Sequence, residues 1–252
     1  MTDKVVSTGS TADVSEVMNF GSGSKAALVI GNGGYKDNAL SNPPNDATDI
    51  AAKLKKLGFR VDTLIEANQQ QMEEAVVRFS RTLRHGDAGL FYYAGHGIQV
   101  GSVNYMIPIG AEIRTESEVK YKAVNVNWVL EQINEAKNGL NIVILDACRD
   151  NPLGRGLKRS SASGGLAPIT IDPTGNGTFI AFATAPGQTA EDGNGRNGTY
   201  TKHLLANLDV KGKTLEQVFK LTRAGVKQET NGRQVPWDAS SVVGEFFFNP
   251  GP

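Results

Sequence analysis

The chain has 252 residues, of which 39% are hydrophobic and 21% charged, a composition typical of a globular protein with one large domain or two small ones. Its 26 basic and 26 acidic residues balance, which argues against binding to nucleic acid, because such a surface needs a basic excess. No apolar run approaches the roughly 20 residues of a membrane span, so no membrane partner is expected. A single cysteine excludes an intramolecular disulfide and fits a cytoplasmic location, although a secretion signal that had already been removed would escape detection.

Strand and helix patterns alternate along the sequence. Residues 1–24 are rich in Ser, Thr and Gly and predict a flexible arm before one domain over residues 25–252. Strands are predicted at 25–30, 59–65, 87–94, 142–145, 178–184 and 242–248. Helices are predicted at 45–58, 69–83, 126–136, 199–208 and 215–228, whereas 100–124 and 151–177 show no clear period, apart from a piece at 105–108 that could form a hairpin arm. This alternation predicts an α/β fold with a mainly parallel central sheet and helices on both faces.

The only cysteine follows an apolar strand. The run Ile142–Leu145 has the length and β-branching of a strand buried on both faces, and it leads into Asp146, Ala147 and Cys148. In open α/β sheets, binding and catalytic groups collect at the carboxyl ends of the strands. From this strand alone, a chemical role for Cys148 and the role of a small buried apolar residue are equally well supported.

A histidine flanked by glycines follows the strand predicted at 87–94. The glycines of Gly95-His96-Gly97 remove side-chain cover and would let a substrate backbone approach, although a turn with an outward-pointing histidine is the simpler alternative. His85 and His203 have no such setting and are expected on the surface or on a helix. A nucleophilic thiol needs a base within hydrogen-bond reach, and two adjacent parallel strands would supply that proximity.

These motifs resemble those of the caspase-like cysteine peptidases, peptidase family C14, in particular the bacterial metacaspase-like or orthocaspase branch. The resemblance covers about residues 25–248 and is carried by the segments YYAGHG at 92–97, DAC at 146–148, NPPNDA at 42–47, ATAPG at 183–187 and QVPW at 234–237. It implies the caspase–haemoglobinase fold and a cysteine endopeptidase that forms a thioester acyl-enzyme. It also implies His96 as general base, Cys148 as nucleophile, and an oxyanion hole made by the backbone N–H groups of Gly97 and Cys148.

Asp146 is a candidate for substrate specificity. A carboxylate at the end of a buried strand is costly unless it is paired. By the resemblance, an acid here favours a peptide or protein substrate with Arg or Lys before the scissile bond. Pairing of Asp146 with Arg149 is the alternative. Asp192 is a weaker candidate for the same pocket, because a solvated loop charge explains it as well.

Asp46 matches a second acidic position of the pocket that the resemblance implies. Its alternative role is the N-cap of the first helix, which Asp fills well. Both roles are compatible with the sequence.

The chain departs from the common metacaspase pattern after the nucleophile, where His-Ser-Gly is replaced by Arg149-Asp150-Asn151. No acidic cluster suited to calcium stands out, so no metal or other cofactor is predicted, and calcium activation is left open. The basic residues of the loop that follows, Arg155, Lys158 and Arg159, are candidate self-cleavage sites, with a solvated basic loop as the alternative.

Two other classes of function remain. A non-catalytic caspase-like scaffold or regulator is one, and the presence of both His96 and Cys148 argues against it. A nucleotide-binding module is the other, but the glycines at 31–34 lack dinucleotide-site spacing. The segment Gly212-Lys213-Thr214 lacks the upstream glycine of a phosphate loop.

Overall fold

The computed structural model describes residues 20, 23–148, 166–171, 177–186, 188, 190 and 195–251, and for Cys148 it describes only the backbone. The strands within these ranges are β1 Lys25–Gly31, β2 Arg60–Ile65, β3 Ala88–Val100, β4 Val103–Met106, β5 Val124–Asn125, β6 Leu140–Cys148, β7 Gly177–Phe182 and β8 Trp237–Ser240. The helices are α1 Pro43–Lys56, α2 Gln69–Thr82, α3 Glu116–Lys122, α4 Val126–Asn134, α5 Thr199–Leu208 and α6 Leu215–Glu229. None of these helices is long and apolar enough to cross a membrane.

A mainly parallel sheet forms the centre of the fold, as the alternating pattern predicts. Its strand order is β2-β1-β3-β6-β7-β8, and only β8 runs antiparallel to its neighbour. The carboxyl-terminal half of β3 also pairs with β4 in an antiparallel hairpin, and β5 extends this hairpin. The central strands β3 and β6 are therefore the pair around which the remaining elements are arranged.

Helices cover both faces of the sheet because the side chains of its strands alternate between two cores. Leu90 and Tyr92 of β3 pack in a core with α1, α5 and α6. Phe91 and Tyr93 of the same strand pack in a second core with α2 and α4. This arrangement confirms the predicted layers of an α/β fold.

The strand predicted at 87–94 is longer in the structure. It continues to Val100, so Gly95-His96-Gly97 lies inside β3 instead of on a loop after it. The physical reason is pairing on both sides, with β6 up to residue 96 and with β4 from residue 97 onward. Glycine weakens a strand on its own, so the local pattern indicated an end where tertiary pairing sustains the ladder.

The closing strand predicted at 242–248 is wrong. The last strand of the described residues is β8, and the predicted segment contains only the isolated bridge residues Glu245 and Phe247, the latter paired with Thr214. Phe246 and Phe248 are buried against Phe59 in the core below α1 and α6. Their aromatic spacing therefore reflects packing of an irregular segment and not a ladder.

Part of the predicted N-terminal arm is described. Phe20 packs against the core with α1, α5 and α6, and its N–H donates to the carbonyl of Glu245 at 3.1 Å. The N–H of Ser24 donates to Asp87 Oδ1 at 3.0 Å just before β1 begins. Residues 1–19 and 21–22 lie outside the described residues, so the flexible arm and the domain boundary remain predictions.

Candidate active site

The register between β3 and β6 brings the candidate base and the candidate nucleophile side by side. The two strands are parallel neighbours from Ala88 opposite Leu140 to His96 opposite Cys148. His96 and Cys148 thus occupy facing backbone positions at the carboxyl end of the sheet, where α/β folds place their chemistry.

His96 is enclosed by the segment that follows β1. Its side chain is only 1% exposed, so the alternative of an outward-pointing turn histidine is wrong. The imidazole ring lies 4.4 Å from the ring of Tyr35, centroid to centroid, and Nε2 lies 2.7 Å from the carbonyl oxygen of Asn38. Asn38 has a φ of 59°, a conformation that Asn adopts more readily than most residues.

This contact fixes the tautomer of the neutral histidine. A carbonyl oxygen can only accept, so Nε2 carries the proton that it donates to Asn38. The lone pair of the neutral imidazole then resides on Nδ1, the atom that can take a proton from a nucleophile. Asn38 therefore has the position of a group that orients a general base.

The second tyrosine of the YYAGHG segment supports the backbone of His96. Tyr93 OH donates to the His96 carbonyl at 2.8 Å and lies 3.2 Å from the hydroxyl of Tyr35. The hydroxyl of Tyr35 in turn accepts the His96 N–H at 3.0 Å. These contacts hold the strand and the covering segment together around the histidine.

The two glycines beside His96 are required by packing. A Cβ at Gly95 would lie 2.6 Å from the hydroxyl oxygen of Tyr93, and its φ of +152° disfavours other residues. A Cβ at Gly97 would lie 2.9 Å from the Cβ of Ala147 on β6. Protein atoms therefore fill the space that the sequence suggested was left for a substrate.

The amide of Gly97 faces the side of the sheet edge on which Cys148 lies. Gly97 is opposite Met106 in the β3–β4 hairpin, and the N–H of Ile107 donates to the His96 carbonyl at 3.0 Å. This pattern makes Gly97 and Met106 a non-hydrogen-bonded pair, so the Gly97 N–H points away from β4. The carbonyl of Ala94, two residues before His96, accepts from the N–H of Asn32 just after β1, so β4 lies on the β1 side of β3 and the Gly97 N–H faces β6, which ends at Cys148.

Asp146 is buried and bonded to a helix on the other side of the site. Its side chain is 9% exposed, and Oδ2 accepts a hydrogen bond of 2.6 Å from the hydroxyl of Thr201 on α5. The hydroxyl of Tyr92, on β3, lies 2.6 Å from the same Thr201 oxygen. Arg149, the alternative partner of Asp146, lies outside the described residues, as does Asp192.

Asp46 lies inside α1 and does not cap it. The helix begins at Pro43, since proline is tolerated in a first turn, and the N-cap position is Asn42. The alternative N-cap role is therefore wrong. Asp46 is 2% exposed, and its Oδ1 accepts a 3.0 Å hydrogen bond from the N–H of Gly198, the residue just before α5.

The two carboxylates converge on Gly198. A Cβ at this position would lie 3.2 Å from Asp46 Oδ2 and 3.9 Å from Asp146 Oδ2. Of the predicted specificity residues, the structure thus brings Asp46 and Asp146 to one place, close to the strand ends that carry His96 and Cys148. Arg155, Lys158 and Arg159 lie outside the described residues.

Several residues of this site have no local sequence signal. Asp49, one turn after Asp46, accepts two hydrogen bonds from the guanidinium of Arg196, at 2.8 and 3.0 Å, and one from the side chain of Asn197. The hydrogen bond from Arg196 is the main cause that lowers the pKa of Asp49. Together with Gly198, this contact fastens the start of α5 to α1. Partners 147 positions apart in the chain cannot be paired by local spacing.

Burial and negative charge mark the electrostatics of this region. Burial, followed by the charges of Asp146 and Asp46, raises the pKa of Tyr92 well above its ordinary value. Burial and the charge of Asp146 likewise raise the pKa of Tyr200. Among the described residues, no group of three or more His, Cys, Asp and Glu side chains could hold a metal ion.

A family model described as the caspase domain matches residues 24–247. Mucosa-associated lymphoid tissue lymphoma translocation protein 1 of Homo sapiens is 35% identical over 126 residues, 50% of this chain and 15% of that protein. A probable protease from a Desulfuromonadales bacterium is 28% identical over 66% of this chain and 20% of its own length, and caspase-7 of Gallus gallus is 22% identical over 88% and 76%.

Solved structures show the same fold. A crystal structure of a protein from Geobacter sulfurreducens matches with a TM-score of 0.66 at 17% identity, covering 90% of this chain and 99% of that one. The chain spans well under two thirds of the length of the first curated relatives.

Replacement of Gly97 by alanine is expected to destabilise the fold by about 1–3 kcal/mol, because the new methyl group would overlap Ala147. The double variant Gly97→Ala with Ala147→Gly should recover part of the loss. Gly195→Ala is the matched control, since the nearest atom to its new Cβ is 3.7 Å away. Urea unfolding of the four proteins measures these changes, and a Gly97→Ala midpoint equal to that of Gly195→Ala would contradict the close packing.

Proposed function

Because the chain belongs to the caspase-domain family of peptidases, we propose that it is a cysteine endopeptidase that cleaves after Arg or Lys. The observation that carries the proposal is the register that pairs His96 with Cys148, with Asp46 and Asp146 converging nearby. The substrate would be a peptide or protein with a basic residue before the scissile bond.

The proposed chemistry begins at the dyad. Nδ1 of His96 takes the thiol proton of Cys148, and the thiolate sulfur attacks the carbonyl carbon of the scissile bond. The N–H groups of Gly97 and Cys148 would stabilise the resulting oxyanion. When the C–N bond breaks, the leaving amine takes the proton from His96 and a thioester remains. Water deprotonated by His96 then hydrolyses the thioester and releases the free thiol.

The proposed specificity rests on two buried carboxylates. Within the part of the chain that the structure describes, the hydroxyl of Thr201 donates to Asp146 and the N–H of Gly198 donates to Asp46. A cationic side chain between them would gain charge-assisted hydrogen bonds, which are stronger than neutral ones. Arg should be preferred to Lys, because its planar fork can bind a carboxylate through two bonds.

The dyad predicts that Cys148→Ala abolishes peptide cleavage while the fold remains intact. His96→Ala should lower kcat/KM by several orders of magnitude, since base and nucleophile act as a unit. His85→Ala, at an exposed position, is the matched control and should leave cleavage unchanged. Turnover assays and labelling with a thiol-reactive probe measure these effects. Cleavage that persists in Cys148→Ala would rule out the dyad, and an unlabelled, inactive wild type would favour a non-catalytic scaffold.

The carboxylates predict cleavage of peptides with Arg or Lys before the scissile bond and little cleavage of otherwise identical peptides with Asp or Ala. Asp146→Ala should remove most of kcat/KM on the basic peptides without changing alkylation of Cys148 by a small neutral reagent. Asp62→Asn, an exposed acid on β2, controls for the loss of one negative charge. Assays with and without calcium would also test the activation that the sequence leaves open. A preference for Asp before the scissile bond would show that Asp146 does not bind that residue of the substrate.

Self-processing is a further part of the proposal, with Arg155, Lys158 and Arg159 as candidate sites. The basic residues that the sequence places after the nucleophile would meet the proposed specificity. Purified wild type should then contain fragments cut after one of these residues, whereas Cys148→Ala stays intact. Intact-mass measurement compares the two, and a single full-length species in both would exclude self-cleavage.

A further inference from the structure

The hydroxyl of Thr201 is directed at Asp146 and not at its own helix. A threonine within a helix commonly bonds the carbonyl four residues earlier, as Thr222 of α6 does with Val218 at 3.0 Å, but Thr201 lies in the first turn of α5, where the residue four earlier, Asn197, precedes the helix. Thr201, which is 0% exposed, instead donates to Asp146 Oδ2 at 2.6 Å, across 55 positions of the chain. Its hydroxyl therefore has a tertiary partner that local helix chemistry does not require.

The chemistry of the three groups sets the direction of the hydrogen bonds. An ionised carboxylate can only accept hydrogen bonds, so the single hydroxyl proton of Thr201 is donated to Asp146. The 2.6 Å contact between Tyr92 OH and Thr201 then requires the phenol to be the donor. Burial and nearby negative charge raise the pKa of Tyr92, so the phenol keeps its proton. Hydrogen bonds aligned in this way strengthen one another.

We infer that Thr201 is a positioning residue for substrate specificity, because the chain from Tyr92 through Thr201 holds the carboxylate of Asp146 in the orientation that receives an arginine fork. The inference rests on the proposed function and adds to it a residue that sets the choice between Arg and Lys. Arginine binds a carboxylate through two parallel bonds and depends on the orientation of its plane. Lysine is a point charge and depends on that orientation less.

Binding in the inactive Cys148→Ala background tests the inference apart from cleavage. The probes are acetylated tripeptide amides that end in Arg, Lys or Ala and are otherwise identical, titrated by calorimetry. Adding Thr201→Val should raise Kd for the Arg peptide about tenfold and reduce the preference for Arg over Lys. Thr201→Ser restores the hydroxyl and should bring Kd back to within about twofold of the parent.

Two further variants complete the design. Tyr92→Phe removes only the terminal hydroxyl and should raise Kd for the Arg peptide by a smaller factor than Thr201→Val. If Thr201→Val does not fold, Tyr92→Phe provides the test of the inference. Thr222→Val removes a buried hydroxyl that bonds only within α6 or to Asn207 and should leave peptide binding unchanged.

The outcomes separate the inference from the proposed function. Unchanged Arg binding in Thr201→Val, equal weakening for the Arg and Ala peptides, no rescue by Thr201→Ser, or no preference for basic peptides in the parent would each overturn the inference. The expected binding pattern together with a wild type that cleaves none of the corresponding substrates would support the positioning role and overturn the peptidase.

Discussion

The parallel register between β3 and β6 is the constraint on which the candidate site depends. Side chains alternate between the faces of a sheet. A shift of the β3–β6 register by one residue would therefore move His96 away from Cys148 and exchange the side chains that fill the two cores. The absence of a side chain at Gly97 lets β3 approach Ala147 of β6 closely enough for this pairing. A contact between small residues in the sheet therefore supports the proposed chemistry.

The proposed specificity depends on a different part of the fold, where α1 and α5 meet. Two carboxylates are buried there, and burial of a charge is costly unless hydrogen bonds compensate. Gly198, the N-cap of α5, and Thr201, in its first turn, donate to them at the helix end where the dipole also favours negative charge. The contact of Asp49 with Arg196 holds that turn against α1. The sheet thus positions the candidate dyad, and the contact between two helices positions the proposed pocket.

The glycine-rich segment after β1 resembles a nucleotide-binding loop only superficially, and its role in the structure is different. The N–H groups of Gly33 and Gly34 donate to the carboxylate of Glu66, with the shorter bond 2.8 Å long, and such amides are what a phosphate would require. The segment then passes Tyr35 and Asn38 over the imidazole of His96. The carboxylate of Glu66, which follows β2, anchors this segment, and the segment in turn encloses His96.

The sequence by itself determined the alternation of strands and helices, the positions of His96 and Cys148 next to apolar strand segments, and the acidic character at Asp146, because these follow from local periodicity and residue chemistry. That the two strands are neighbours, and that His96 lies inside β3, was decided by tertiary pairing. The helical pattern also predicted the bounds of α5 correctly, at residues 199–208. Only the tertiary structure decided that Thr201 bonds Asp146, that Gly198 bonds Asp46, and that Phe246 is buried outside any strand. These partners lie far apart along the chain, and their choice depends on how helices and strands pack, which no local spacing encodes.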